Sequence, residues 1–175
     1  MQEKLFNNGS SRYPHIFSEL KVGAVTLPNR VLFPSWQLNY AETDGTVSDK
    51  LMKFFTDLAD GGCGLIMTGC AVVSPDGVPF NRVMRITTDK YIPTLKKLFT
   101  ALKARGAAAG IQLIHYGRQS STSASGHVLM APSAIPCPVM SKYDPSYKVR
   151  EMTMEDIENI RSAFIDAAGR ATEAG

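Results

Sequence analysis

The chain is predicted to fold as an α/β domain in which parallel strands are joined by crossover helices. Three observations point there. Short apolar runs, Val31 to Phe33, Leu65 to Met67 and Ile111 to Ile114, are too brief for helices and read as buried strands. A longer segment with apolar residues at helical spacing follows each of them in turn. Asp-Gly, Gly-Gly or single Gly residues stand between the segments as turn and stop signals. Strands alternating with helices form parallel sheets, because a parallel connection needs a crossover. On pattern alone, a doubly wound sheet and a closed barrel both fit.

The elements follow in order. Two apolar runs, Ile16 to Leu20 and Val22 to Leu27, are punctuated by Gly23 and Pro28-Asn29 and predict a small hairpin over residues 16–28. The first strand, near 31–34, comes next. Asp44-Gly45 marks a turn, and Ser48 caps a helix near 49–60 whose inward face is Leu51, Met52, Phe54, Phe55, Leu58 and Ala59. Gly61-Gly62 stops it before the second strand, near 65–68. Asp76-Gly77 is a turn within a loop. A second helix, near 90–105, turns Ile92, Leu95, Leu98, Phe99 and Leu102 inward and Lys96, Lys97, Lys103 and Arg105 outward. Gly106 ends it ahead of the third strand, near 111–114. The last helix, near 154–173, opens on Thr153-Met154-Glu155-Asp156, a capping box with Asp in place of Glu. Ile157, Ile160, Phe164, Ala167, Ala168 and Ala171 form its apolar stripe, with Gly175 at the C-cap.

Composition excludes several function classes. With 175 residues, 44% of them hydrophobic and 20% charged, the chain has the make-up of one globular unit. No apolar stretch approaches the roughly 20 residues of a membrane span. Met1-Gln2-Glu3-Lys4 leads into no long apolar segment, so no signal peptide and a cytoplasmic location are expected. A net charge of +3, scattered along the chain, does not predict a nucleic-acid partner. Cys63, Cys70 and Cys137 form no CxxC pair and have no metal-ligand spacing; they are expected to be packing residues, and no metal is expected. No Gly-x-Gly-x-x-Gly follows the first strand, which argues against a dinucleotide-binding sheet.

The chemistry concentrates in Gly110-Ile111-Gln112-Leu113-Ile114-His115-Tyr116-Gly117-Arg118. An amide buried in an apolar strand must be paired, so Gln112 requires either a backbone partner or a ligand with alternating donors and acceptors, such as a heterocycle. His115 reads as a structural histidine held by backbone, and Arg118 as a ligand contact or a loop anchor. Trp36, the sole Trp, reads as core or as a ligand wall. Residues 116–152, rich in Ser and Pro, are longer than most connections and are expected to be a functional lid or a disordered linker, which in a barrel would lie on the face where the strands end. Arg118, His127, Tyr143, Tyr147, Lys148 and Arg150 are candidates for that face. A serine hydrolase using Ser120 to Ser125 with His127 would lack the Gly-x-Ser-x-Gly elbow.

Six segments together are similar to a known family. They are Asn29-Arg30-Val31-Leu32-Phe33, Asp44-Gly45, Gly61-Gly62-Cys63-Gly64-Leu65-Ile66, the Gln112 to Arg118 stretch, Ala131-Pro132-Ser133-Ala134-Ile135 and Arg150-Glu151-Met152-Thr153. From about Phe17 to Gly175 the chain resembles the old yellow enzymes, FMN-dependent ene-reductases that include the bacterial 2,4-dienoyl-CoA reductases. The resemblance implies a TIM (β/α)8 barrel, with residues 1–175 its N-terminal portion: the hairpin and about three βα units. It implies FMN at the C-terminal mouth, with Ser35, Trp36 and Gln37 after the first strand, Cys70 at the end of the second and Gln112 on the pyrimidine edge. Asn39 and Tyr40 would line the substrate side. The implied reaction is ping-pong: NADH or NADPH gives hydride to flavin N5, which passes it to the activated C=C bond of an enone, enal or enoyl thioester.

Two local departures bear on that reading. Gln37 stands where the family usually has Cys or Thr, and Gly69-Cys70 stand where an acidic residue and Ala are common. The family's His pair, proton-donating Tyr and phosphate-binding loops are expected beyond Gly175, so no catalytic residue is assigned and the isolated chain is expected to be inactive. The rival expectation is a non-catalytic piece that functions only by association, with homo-oligomers one outcome, since three βα units cannot close an eight-stranded barrel.

Overall fold

The structure, a computed structural model, describes residues 12–175. A hairpin of β1 (Leu20–Val22) and β2 (Val25–Leu27) pairs antiparallel around Gly23, whose φ of 58° suits the turn. Residues 16–19, predicted as part of the hairpin's first run, instead form turns that begin at Tyr13. Asn29 ties the hairpin to the sheet. It is buried, its Nδ2 donates to Gly62 O at 2.9 Å, and its Oδ1 accepts from Val31 N at 2.9 Å.

The central sheet is parallel throughout. β4 (Leu65–Val72) is flanked on one side by β3 (Leu32–Phe33) and then β5 (Met84–Arg85), and on the other by β6 (Ala108–Ile114). β4 runs further than predicted, so Cys70 lies within the strand rather than at its end. β5 is an addition to the predicted set; two residues carry no periodic signal. β6 was predicted as an interior strand, but it is an edge strand among the described residues and its side chains are only half-buried. Gln112 is correspondingly exposed rather than buried.

Helix α1 (Asp49–Asp60) starts at Ser48, whose hydroxyl accepts from Leu51 N, and buries Leu51, Phe55 and Ala59 at i, i+4 and i+8. Its Phe54 and Phe55 meet Phe33 of β3 edge-on, with centroids 5.8 and 6.3 Å away. Helix α2 (Ile92–Lys103) buries all five residues predicted to face inward, with Pro93 in its first turn. Its start, predicted near residue 90, is preceded by a 3-10 turn over Asp89–Tyr91.

Residues 116–152 are not featureless. They hold two one-turn helices, α3 (Thr122–Ser125) and α4 (Met140–Tyr143), and a separate parallel pair of β7 (Leu129–Ala131) and β8 (Val149–Glu151). Helix α5 (Met154–Ala174) opens on the full Thr153/Asp156 capping box and packs on α2 and β6. Its packed stripe is Ala163, Phe164, Ala167, Ala171 and Ala174, four of them alanines. Ile157 and Ala168, predicted for that stripe, are exposed. Among the described residues, no helix is long and apolar enough to cross a membrane.

Candidate functional site

Because β3, β4 and β6 are parallel, their C-terminal ends open onto one face, and the predicted site residues gather there. A bulge in β4 arranges them. Thr68 pairs with Ile111 and Cys70 with Gln112, which leaves Gly69 as the extra residue. A Cβ on Gly69 would lie 2.5 Å from Trp36 O, so only glycine lets the chain leaving β3 cross so close to β4.

That crossing places Ser35 against the other two strands. Its hydroxyl lies 3.0 Å from Thr68 O and 2.8 Å from Gln112 Oε1, one proton facing two acceptors. Cys70 Sγ donates to the same Gln112 oxygen at 3.0 Å. Ser35 from just after β3, Cys70 from within β4 and Gln112 from within β6 thus form a single cluster in which the Gln112 carbonyl is engaged and its amide N–H groups donate to no described residue.

A second cluster adjoins it. Tyr116, just beyond β6, donates its hydroxyl to Gln37 Oε1 at 3.1 Å, and Gln37 Nε2 donates to Asn39 Oδ1 at 2.8 Å. Asn39 holds a φ of 53°, in the left-handed region that Asn tolerates better than most residues. Burial, and then the neighbouring Cys70 thiol, push the Tyr116 phenol well above its ordinary range, so it stays a protonated donor. Trp36 is 64% exposed, and its backbone oxygen lies close against Gly69. Tyr40 packs edge-on to Phe54 at 6.1 Å with the Lys50 ammonium 3.8 Å from its ring centre. Asn39, Tyr40, Lys50 and Arg82 line an open cavity of about 290 Å³ beside the site.

The rest of this face is scaffolding. His115 accepts from Gly117 N at Nδ1 (3.0 Å), so its proton sits on Nε2, 3.1 Å from Asp76 Oδ2. Burial alone would raise the Asp76 carboxyl, but the hydrogen bonds from His115 and Ser74 outweigh it and lower it to about 2. Arg118 anchors the long loop through Ile135 O at 3.0 Å. Tyr147 spans the same loop, donating to Arg118 O and accepting from Cys137 N, both at 2.9 Å. Arg150 pairs with Asp156, and His127, Tyr143 and Lys148 are exposed. Asp144 is the loop's hub, accepting from Ser121, Ser123 and Ser146. The hydroxyls of Ser146 and then Ser121, helped by the backbone N–H groups of Ser123 and Ser146, hold its carboxyl far below the usual range.

Sequence reasoning did not single out Tyr116, Gly69, Asp76 or Asp144 for these roles. Tyr116 had a signal, standing four residues after Gln112 where the strand ends. Asp76 and Asp144 look like ordinary turn residues until their distant partners are known.

The model of the NADH:flavin oxidoreductase / NADH oxidase family matches residues 15–175 of the chain. The chain belongs to that family. Among its relatives, the NADH oxidase of Thermoanaerobacter brockii is 34% identical over 163 residues, which are 92% of this chain and 24% of that protein. An NADPH dehydrogenase of Listeria monocytogenes is 35% identical over 161 residues, 91% of this chain and 45% of that protein. In three dimensions the chain is similar to an old yellow enzyme from a Pichia species, with a TM-score of 0.85, 26% identity, and coverage of 92% of this chain and 44% of that one. It is equally similar, at 0.85 and 26%, to a 2-naphthoyl-CoA reductase solved with 2-naphthoyl-CoA, covering 93% of this chain and 26% of that one. The chain therefore spans about a quarter to somewhat under half of these relatives. The hairpin and the three strands β3, β4 and β6 with their helices are the N-terminal portion of a TIM (β/α)8 barrel. FMN is the family's flavin, and NADH or NADPH its reductant.

Proposed function

We propose that this chain is the flavin-facing N-terminal part of an FMN-dependent oxidoreductase that reduces activated C=C bonds of enones, enals or enoyl thioesters with NADH or NADPH. The observation that carries the reading is the convergence of Ser35, Cys70 and Gln112 from three neighbouring parallel strands. Bound FMN would supply hydride transfer in both directions. The residues present fit a flavin ring: a primary amide with its oxygen engaged and its N–H groups open can donate to the carbonyl oxygens of a pyrimidine edge. Ser35 and Cys70 hold the Gln112 amide in place, Gln37 lines the same mouth, and the exposed face of Trp36 offers a flat apolar wall. Donors fixed there favour negative charge on a bound ring. Asn39 and Tyr40 form the side toward the 290 Å³ cavity, where an unsaturated carbonyl substrate would enter. The proton donor and the phosphate anchor belong to other parts of the barrel in this reading, so the isolated chain reduces no alkene.

The test is a fluorescence-quenching titration of FMN with the chain. Weak but saturable quenching is expected, and Gln112→Leu weakens it by about 1–3 kcal/mol through lost hydrogen bonds, with the fold retained because Gln112 is exposed. Absence of quenching, or equal affinity in the variant, would overturn the assignment.

The second reading, a piece that works only by association, is favoured by the unpaired outer edges of β3 and β6 among the described residues, and by Leu32 and Trp36 at 51% and 64% exposure. A mass in solution above that of one chain, with stoichiometric FMN retained through gel filtration, would favour it.

A further inference from the structure

The two ring nitrogens of His115 have different partners, and neither partner can exchange its role. Gly117 N is a backbone N–H and always donates, so Nδ1, 3.0 Å away, carries a lone pair. The Asp76 carboxyl, lowered to about 2, is ionised and only accepts, so Nε2, 3.1 Å from its Oδ2, carries the proton. The ring is therefore neutral wherever both bonds are made. It also has no room to turn. Its side chain is 6% exposed, and a Cβ on Gly77 would lie 2.8 Å from its Cδ2, so backbone covers the ring there. Among the charged groups around it, Asp76 faces it from the turn after β4. Arg150 of β8, paired with Asp156 of α5, lines a cavity with Asp76 and His127. Arg118, which shares a second cavity with His115, is held by Ile135 O.

A second proton can enter only at Nδ1. An imidazolium N–H would then face the Gly117 N–H, two donors 3.0 Å apart, and that bond is lost. On the other side the new charge strengthens the pair with Asp76, so that side holds. The yielding part is the 3-10 turn over Gly117–Gln119, whose first residue has a φ of 54° and no side chain to resist a change. That turn carries the start of the long loop. Arg118 Nη1 donates to Ile135 O at 3.0 Å, and Arg118 O accepts from Tyr147 at 2.9 Å. Tyr116, just before the turn, sets its hydroxyl 3.1 Å from Gln37.

We propose that His115 is a proton-operated latch on the long loop. Neutral, it holds the Gly117–Gln119 turn through Nδ1; a proton taken from solvent at that nitrogen releases the turn, and with it the Arg118 anchor of residues 116–152 and the seat of Tyr116 at the mouth of the site. His115 is thus a positioning residue that acts through Gly117. The released form binds one proton more, so the latched form is favoured as pH rises and lost as pH falls, by at most about tenfold per pH unit. The latch is a property of the apo chain and stands whether or not the flavin reading does.

Nuclear magnetic resonance of the apo chain tests it, with the His115 ring nitrogens and the backbone amides followed from about pH 8 to about pH 5, where an ordinary imidazole changes charge. The His115 ring, the Gly117 amide and the Cys137 amide, which donates to the Tyr147 hydroxyl, are expected to move on one titration curve. Asp76→Asn removes the charge that favours the imidazolium and should move that curve down by about one pH unit. His115→Asn puts an amide oxygen near the place of Nδ1 and does not titrate, so Gly117 should stay latched across the range. A ring that stays neutral down to about pH 5, a Gly117 or Cys137 amide that does not follow the ring, or a curve unmoved by Asp76→Asn would overturn the proposal. If His115→Asn does not fold, the Asp76→Asn curve decides alone.

Discussion

Adding one methyl group at Gly69 should damage the site by pushing on backbone, while the same change at Gly110, across the same strand pair, should not. A Cβ at Gly69 would stand 2.5 Å from Trp36 O. Non-bonded atoms of this size settle near 3.5 Å, so the carbonyl must retreat by roughly 1 Å. Trp36 O is part of the main chain leaving β3, and it carries Ser35 and Gln37 with it. Overpacking against backbone costs about 1–3 kcal/mol. The entropy lost by the unfolded chain returns about 0.4–1 kcal/mol, since Gly69 is not at a positive φ. Gly69→Ala is therefore expected to destabilise by about 1–2 kcal/mol, or roughly 2–8 °C in Tm for a chain of this size. It should also weaken FMN, because a site tolerates only about 0.5 Å of misplacement. At Gly110 the obstruction is Met67 Sδ and Cε, the far end of a flexible side chain, which can rotate aside. Gly110→Ala should stay within about 0.5 kcal/mol of the parent, helped by the same unfolded-state term. Urea and thermal unfolding followed by circular dichroism measure both variants. Equal stabilities for the two, or a Gly69→Ala protein as stable as the parent, would refute the close-crossing explanation.

Two further outcomes follow from the loop scaffold. The Asp76 carboxyl is lowered from 3.8 to about 2, so its contribution of about 2 kcal/mol is fully present above pH 4 and is lost as pH falls through about 2. Asp76→Asn should therefore cost stability at pH 6, and the gap to wild type in urea unfolding should narrow on acidification; a gap independent of pH would count against the His115 pairing. Asp144→Asn removes the charge that gathers Ser121, Ser123 and Ser146, and limited proteolysis within residues 116–152 should speed up several-fold while α1 and α2 stay protected. Unchanged cleavage rates would mean the loop is held by other contacts.

What the sequence shows clearly is whatever repeats along it. The Leu51, Phe55, Ala59 spacing, the Ser48 cap and the Thr153/Asp156 box are local signals, and each marks its helix to within a residue or two. The same holds for the site to a degree: Gln112 stands out as a polar residue in an apolar strand, and the strand end after Phe33 carries Ser35, Trp36 and Gln37 in succession. The resemblance to old yellow enzymes assigned these residues to a flavin before any distance was known. Illegible features depend on partners far away in sequence. Tyr116 and Gln37 are 79 positions apart, and Asp144 and Ser121 are 23 apart. β5, β7 and β8 are two or three residues long, below the length at which period-2 patterning can be recognised. The expected burial of Gln112 failed for another reason. An apolar strand reads as interior whether its second neighbour is within the chain or elsewhere, and here β6 has one strand neighbour among the described residues.

These observations divide the molecule's physics between two ends of one sheet. Toward the strand beginnings and the helices, stability comes from apolar burial: Phe55, Ile66, Leu95, Leu98 and Leu102 are almost wholly enclosed. Toward the strand ends, order comes from polar contacts that cross between strands, each worth little alone but specific in direction. The β4 bulge connects the two regimes. It spends one unpaired residue, Gly69, to bring the chain after β3 over β4, and that crossing is what lets Ser35 reach Gln112 and what sets Gln37 within reach of Tyr116. A sheet with regular register at Thr68 to Cys70 could keep the same core and lose this arrangement. The site's geometry therefore depends more on one missing side chain than on any of the polar groups it positions.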